Sequence, residues 1–240
     1  MIIFIRGHIR NSFSNTDLYD LIKHIKRFHT TPLKIYIHTW NIYSSNISWR
    51  NINKDLRTVT ENKILNYFRD LQIYIKNIII DDDTTINHIG NINGKICSSR
   101  CPLIAWKNMW YGIYSGIKYI KDNNDIPDEY VINMRFDILN NSFSKTKNDI
   151  LKFVRAQSNI NTFDKNIFMS NKIEKINNIR GIDNFYIGNI ETMYILINHF
   201  NSNLDEIVLK YPSNNCQELL VYLENMYIFN NKTIQEIETV

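Results

Sequence analysis

The chain has 240 residues, 44% hydrophobic and 22% charged, enough for one substantial core and short for two. Its net charge of +4 and pI of about 8.8 come from Lys and Arg scattered along the sequence. Nucleic acid is therefore not indicated as a partner, and the balance supports only a mild pull on anionic ligands or, peripherally, on an anionic membrane surface.

Ile2 to Ile5 reads as a buried strand that meets Arg6 at once. That apolar run is too short for a signal peptide and no window approaches a transmembrane length, so a soluble, cytoplasmic protein is expected. Arg6-Gly7-His8-Ile9-Arg10 follows where the strand ends. Gly7 lets backbone come close to a ligand and Arg6 or Arg10 can contact a diphosphate; a turn with two solvated arginines is the plain alternative. Thr16 to Phe28 has Leu18, Leu21, Ile22 and Ile25 on one helical face, and Lys34 to His38 reads as the next strand.

Ser44 to Arg57 is polar and reads as irregular, Glu61 to Leu71 as a helix, and Ile73 to Ile80 as a third strand ending at Asp81-Asp82-Asp83. Three adjacent carboxylates repel unless a cation or solvent intervenes, so a hydrated loop competes with a ligand site here. Isoleucine and asparagine together make up roughly a third of the chain, which discounts any single Asn as a functional signal. Cys97, Cys101 and Cys216 have no zinc-like spacing, His88 included, and are expected to be structural thiols in a reducing compartment.

Leu103 to Lys121 carries the strongest helical pattern, with Trp106, Met109, Trp110, Ile113, Ile117 and Ile120 spaced as a core face. Lys107 lies off that stripe near the helix start, placed either for a phosphate or ribose hydroxyl or for solvent. Tyr130 to Leu139 is the most informative segment. Ile132, Met134 and Phe136 alternate with Asn133, Arg135 and Asp137, so Arg135 and Asp137 share a face at the carboxyl end of a strand, where ligands of open α/β sheets bind. A guanidinium beside a carboxylate there suits a phosphate with its metal ion; a surface ion pair is the alternative.

A helix around Asp149 to Arg155, a short strand near Ile167 to Met169 and a turn at Arg180-Gly181 come next. Phe185 to Ile187 reads as a strand, Glu191 to Phe200 and Gln217 to Leu223 as helices, with Met226 to Phe229 after them. Asp183, before the strand, is placed either as a general base for an incoming hydroxyl or as a turn cap. Alternating strands and helices without a linker or repeat predict one α/β domain over 1–240, a mostly parallel central sheet flanked by helices on both faces.

Two resemblances attach to these residues. An apolar strand followed by Asp81-x-Asp83-x-Thr85 resembles the nucleophile motif of haloacid-dehalogenase-type phosphatases, which implies Asp81 as nucleophile and Asp83 as acid/base. Arg6-Gly7-His8-Ile9-Arg10, Ile37-His38-Thr39-Trp40, Arg135-Phe136-Asp137, Gly181-Ile182-Asp183-Asn184-Phe185-Tyr186-Ile187-Gly188 and Gln217-Glu218-Leu219-Leu220 together resemble a small GT-A type glycosyltransferase of the glycan-decoration kind. That resemblance implies a Rossmann-like GT-A fold, with the nucleotide-sugar donor held by about 1–140 and a glycan or glycoconjugate acceptor by about 141–240. By position it implies Arg6, Gly7 and Arg10 on the nucleotide side with Asp81, Asp83, Lys107 and Arg135 beside them. It implies Mn²⁺ or Mg²⁺ on Asp137, and Asp183 as the acceptor-side base. Where the family has Asp-x-Asp, this chain has Arg135-x-Asp137. A non-catalytic nucleotide- or glycan-binding domain is the third expectation.

Overall fold

The computed structural model of the chain describes residues 1–48, 53–96, 100–141, 145–160, 163–169, 181–212 and 217–230. Cys97, Arg180 and Cys216 lie outside them.

Five of the strands alternate with helices along the chain: β1 (Ile2–Arg6), α1 (Asp17–Phe28), β2 (Lys34–Trp40), α2 (Glu61–Phe68), β5 (Ile75–Asp81), α3 (Leu103–Asp122), β6 (Tyr130–Arg135), α4 (Lys147–Gln157) and β8 (Phe185–Asn189). Between β2 and α2 lies a small antiparallel pair, β3 (Ile42–Ser44) and β4 (Asp55–Thr58). β7 (Ile167–Phe168) precedes β8, and two helices, α5 (Ile190–Lys210) and α6 (Gln217–Asn230), follow it.

The main sheet has the order β5-β2-β1-β6-β8-β7. β5, β2, β1 and β6 run parallel, whereas β8 pairs antiparallel with β6 and β7 antiparallel with β8. Successive residues of β1 feed two separate cores, as a pleated strand requires. Ile2 and Phe4 point with Tyr36 and Val131 into one built on α3, α5 and α6, around Trp106, Trp110, Met193 and Phe200. Ile3 and Ile5 point with Ile35, Ile37, Ile132 and Met134 into the other, which includes Leu21 and Ile25 of α1, Ile64 of α2 and Ile150 of α4. Both faces of the sheet are covered, and the central strand β1 is accordingly a continuous apolar run from Ile2 to Ile5.

α3 lies very close to the sheet. A Cβ at Gly112 would sit 2.5 Å from the His38 ring, and one at Gly116 would sit 2.2 Å from Phe4. These glycines let the helix settle directly on β1 and β2.

Several boundaries differ from the sequence reading. The segment read as irregular, Ser44 to Arg57, contains the start of β4, because Asp55 and Thr58 pair with Ser44 and Ile42 of β3 at a surface without needing an apolar alternation. The helix expected to reach Leu71 stops at Phe68, where Arg69 takes a positive φ of 47° and a 3-10 turn over Arg69–Tyr74 leads into β5. α5 runs ten residues beyond Phe200, to Lys210, across a kink at Asn203, and α6 absorbs Met226 to Phe229. Among the described residues no helix is long and apolar enough to cross a membrane.

Candidate functional site

From β1 the chain moves to β2 and β5 on one side of the sheet, then returns to place β6 on the other side of β1. The connections leaving β1 and β6 therefore diverge, and a crevice opens at their carboxyl ends. The register of this pair sets Arg6 directly beside Arg135. One further bond, from Phe136 N–H to the Arg6 carbonyl at 3.1 Å, extends the pairing past the strand end and fixes the turn that carries Asp137.

Asp137 is 1% exposed and sits between two arginines. Arg135 grips it in bidentate fashion, Nε to Oδ1 at 2.8 Å and Nη2 to Oδ2 at 3.0 Å, and Arg10 Nη1 donates to the same Oδ2. Arg10 reaches it from a left-handed backbone conformation (φ 53°) pinned by a 2.7 Å bond from its N–H to the Tyr43 carbonyl. A non-glycine residue pays a cost in this region, and such strain collects where side-chain placement matters. Arg6 is held from behind: Nε donates to Asn133 Oδ1 at 3.0 Å, Nη2 to the Asp183 carbonyl, and Asn133 in turn donates to the Tyr186 hydroxyl. Burial lowers the Arg6 pKa against the pull of Tyr186 and Asp183, while for Arg135 burial is outweighed by Asp137, Asp183 and Glu218 and its pKa is raised.

Arg6, Gly7, His8, Arg10 and Arg135 form one wall of a cleft whose other walls include His38, Trp40, Asp83, Cys101, Trp106 and Gly112. Its enclosed part measures about 100 Å³. That is room for a phosphate-sized group with some hydration; a larger ligand extends along the open surface. Gly7 holds φ at 90° and accepts from Thr39 Oγ1 at 3.0 Å, which brings bare backbone to the cleft.

Among the described residues, His8 Nε2, Asp83 Oδ2, His38 Nδ1 and Trp106 Nε1 are buried polar atoms without a hydrogen-bond partner, and all four residues line this cleft. Buried polar groups are normally satisfied, so a cluster of exceptions in one cleft marks a ligand site. His8 Nε2 and Asp83 Oδ2 are 3.9 Å apart, too far for a direct bond. Burial, with Arg10 and Arg135 next in weight, pushes the His8 pKa down to about 3, so the imidazole is neutral near pH 7.

The other residues singled out from sequence lie as follows. Asp81 is at the end of the edge strand β5 and bonds His38 Nε2 at 3.1 Å, outside the shell that lines the cleft. Lys107 is on the far side of α3, where its ammonium donates to the Ile89 carbonyl and pairs with Asp205 at 2.8 Å. Asp183 is 4% exposed, on a 3-10 turn behind Arg6 and Arg135, and does not line the cleft. Cys101 does line it, with a thiol pKa pushed up to about 12 by burial, Asp183 and Glu218, which makes it inert as a nucleophile. Sequence reasoning assigned no role to His8, His38 or Trp40 individually. His8 was available as a histidine in the first turn, but Trp106 was indistinguishable from pure core.

The donor set does not suit a divalent cation. Both Asp137 oxygens already accept from guanidiniums, and among the described residues no group of three or more His, Cys, Asp or Glu is placed to hold a metal ion. Mn²⁺ and Mg²⁺ favour accessible carboxylate oxygens, and Asp137 does not present one, so the implied metal does not fit at this residue as arranged. The arrangement is instead a pre-organised set of N–H donors at the mouth of a parallel sheet. No protein-family model matches this chain, and no curated protein matches it.

Proposed function

We propose that the chain is a GT-A type glycosyltransferase that moves a sugar from a nucleotide-sugar donor to a hydroxyl of a glycan or glycoconjugate acceptor. The observation that carries this reading is the placement of Arg6 beside Arg135 at the switch point between β1 and β6, with Arg10 reaching the same carboxylate. Two guanidiniums aimed into one cleft suit a diphosphate, whose departure as a leaving group is the step such a transfer must stabilise. Four parallel strands followed by an antiparallel β8 are consistent with the fold that this reading requires. Asp83, with its unpartnered oxygen, and the ring of Trp40 supply an acceptor and an apolar surface for the rest of the donor.

Asp183 is placed behind the arginines and suits an electrostatic partner for them better than a base on an incoming hydroxyl. The phosphatase reading needs Asp81 and Asp83 together in the cleft, and only Asp83 lines it: Asp81 is engaged by His38 and stands at the sheet edge.

The test is a thermal-shift screen against UDP, GDP, CMP and dTDP sugars, followed by donor hydrolysis and transfer assays with the hits. Turnover of any nucleotide-sugar supports the enzyme and excludes a pure binding domain. Binding without turnover across the set favours the binding domain.

A further inference from the structure

We infer that the cleft takes the phosphates of a nucleoside diphosphate directly on Arg6 and Arg135, without a bridging divalent cation, and that Asp137 is a positioning residue for the arginines rather than a metal ligand. This rests on the nucleotide-sugar reading and specifies how that site holds its charge.

A guanidinium carries five N–H donors in a fixed plane. Arg135 spends Nε and Nη2 on Asp137 and Nη1 on Asn184 Oδ1 at 3.2 Å, each through one N–H, which leaves about two donors on a residue that lines the cleft. Arg6 spends Nε and Nη2 on Asn133 and the Asp183 carbonyl, and among the described residues nothing accepts from its Nη1. Both residues line the cleft, side by side in register. Two adjacent planar forks with donors remaining are matched to the oxygens of two linked phosphates.

The carboxylates near them are largely committed. Asp137, 1% exposed, accepts three hydrogen bonds from Arg10 and Arg135, with both oxygens engaged, and Glu218 accepts from the Gly181 N–H at 3.1 Å. A cation at Asp137 would have to displace a guanidinium from a buried, hydrogen-bonded ion pair, and breaking such a pair is strongly unfavourable. The positive potential of Arg10 and Arg135, added to burial, already keeps a proton off His8. A doubly charged ion in the same place meets more repulsion than a proton does. His8 and Asp83, 3.9 Å apart, also face the cleft as a metal-type pair, and His8 lies within that same field.

The experiment is isothermal titration of the full chain with UDP, GDP, CDP and dTDP, each in EDTA and again with Mn²⁺ or Mg²⁺. The expected result is binding in EDTA, with an affinity within about threefold of that in metal. Arg135→Gln should weaken binding by at least about tenfold in both conditions, the worth of one charge-assisted contact. Asp137→Asn should weaken it similarly in EDTA, with circular dichroism unchanged and partial recovery in Asp137→Glu. Binding that appears only with Mn²⁺ or Mg²⁺ overturns the inference and leaves the nucleotide reading standing; loss of that metal increment in His8→Ala or Asp83→Asn would then locate the ion. A failure of all four nucleotides to bind in either condition overturns the inference, and together with no hit in the nucleotide-sugar screen it overturns the nucleotide reading as well.

Discussion

Arg6 and Arg135 stand side by side in the parallel register of β1 and β6, two guanidiniums at one end of the sheet. Like charges in neighbouring buried positions repel, and each lowers the other's tendency to stay charged. The fold tolerates the pair because each is anchored separately: Arg6 to Asn133 and the Asp183 carbonyl, Arg135 to Asp137 and Asn184. A fold optimised for stability alone would place apolar residues at these strand ends. Local conflicts of this kind, compensated by dedicated partners, are expected at functional sites.

The carboxylate between Arg10 and Arg135 is the first target. Asp137→Asn keeps the shape of the side chain but removes the charge that neutralises the two arginines, so they lose their fixed orientation. Donor turnover should fall by roughly two powers of ten, equivalent to about 3 kcal/mol of transition-state stabilisation. The measurement is donor hydrolysis and transfer, with folding followed by circular dichroism. A variant that transfers sugar at the wild-type rate would sink the assignment of this cleft.

Three further aspartates separate the competing readings. Asp83→Asn should weaken donor binding, because its unpartnered oxygen lines the cleft. Asp81→Asn should leave transfer nearly intact, since Asp81 itself does not line the cleft and an amide can keep its bond to His38; loss of phosphomonoester hydrolysis in that variant would instead favour the phosphatase. Asp183→Asn should lower donor binding and transfer together, because the carboxylate interacts with Arg6 and Arg135. Loss of transfer with donor hydrolysis intact would restore it as the acceptor-side base.

The parts of this architecture written in local pattern were legible in the sequence. The unbroken apolar run of β1 and the alternation from Ile132 to Asp137 are short-range signals, and they located both the central strands and the Arg135–Asp137 pair. What they do not contain is the third partner. Arg10 reaches Asp137 across 127 positions through a left-handed turn, and no periodicity encodes that. The role of Asp137 changes accordingly: read beside Arg135 alone it resembles a metal ligand, and with Arg10 also on its Oδ2 it resembles an anchor for arginines. Lys107 shows the converse failure, since its position near the start of α3 gave no sign that Asp205 and the Ile89 carbonyl engage it.

Gly112 is a test of how closely α3 lies against the sheet. In an exposed helix, Gly→Ala stabilises by about 1 kcal/mol. Here the new methyl would meet the His38 ring at 2.5 Å, and that ring is buried and packed edge-on against Trp40. Overpacking of this kind costs about 1–3 kcal/mol, so the clash should outweigh the helical gain and Gly112→Ala should lower the melting temperature. The displaced imidazole borders the cleft, so ligand affinity should fall as well. A melting temperature at or above that of the wild type would mean that α3 stands further from β2 than described.

Far from the cleft, Glu224 provides a test of stability against pH. It is 1% exposed and accepts from His199 Nε2, Lys210 Nζ and the Tyr211 hydroxyl, each at 2.7 Å, which ties α6 to α5 and the residue that follows it. Burial alone would raise its pKa, but the three hydrogen bonds, with the charge of Lys210, win and hold it at about 2 against an ordinary 4.5. A carboxylate whose folded pKa is depressed contributes stability that is complete above the unfolded pKa and is lost as pH falls through the folded one. The contribution should therefore be full above about pH 5 and decline between about 4.5 and 2, with a ceiling of about 3 kcal/mol for a shift of this size. Glu224→Gln should be less stable than the wild type at pH 7, and the gap between them should close as pH falls through that window. Denaturant titrations of both proteins at steps from pH 7 to 3 would measure it, and a gap that stays constant with pH would show that the ion network contributes nothing to holding α5 and α6 together.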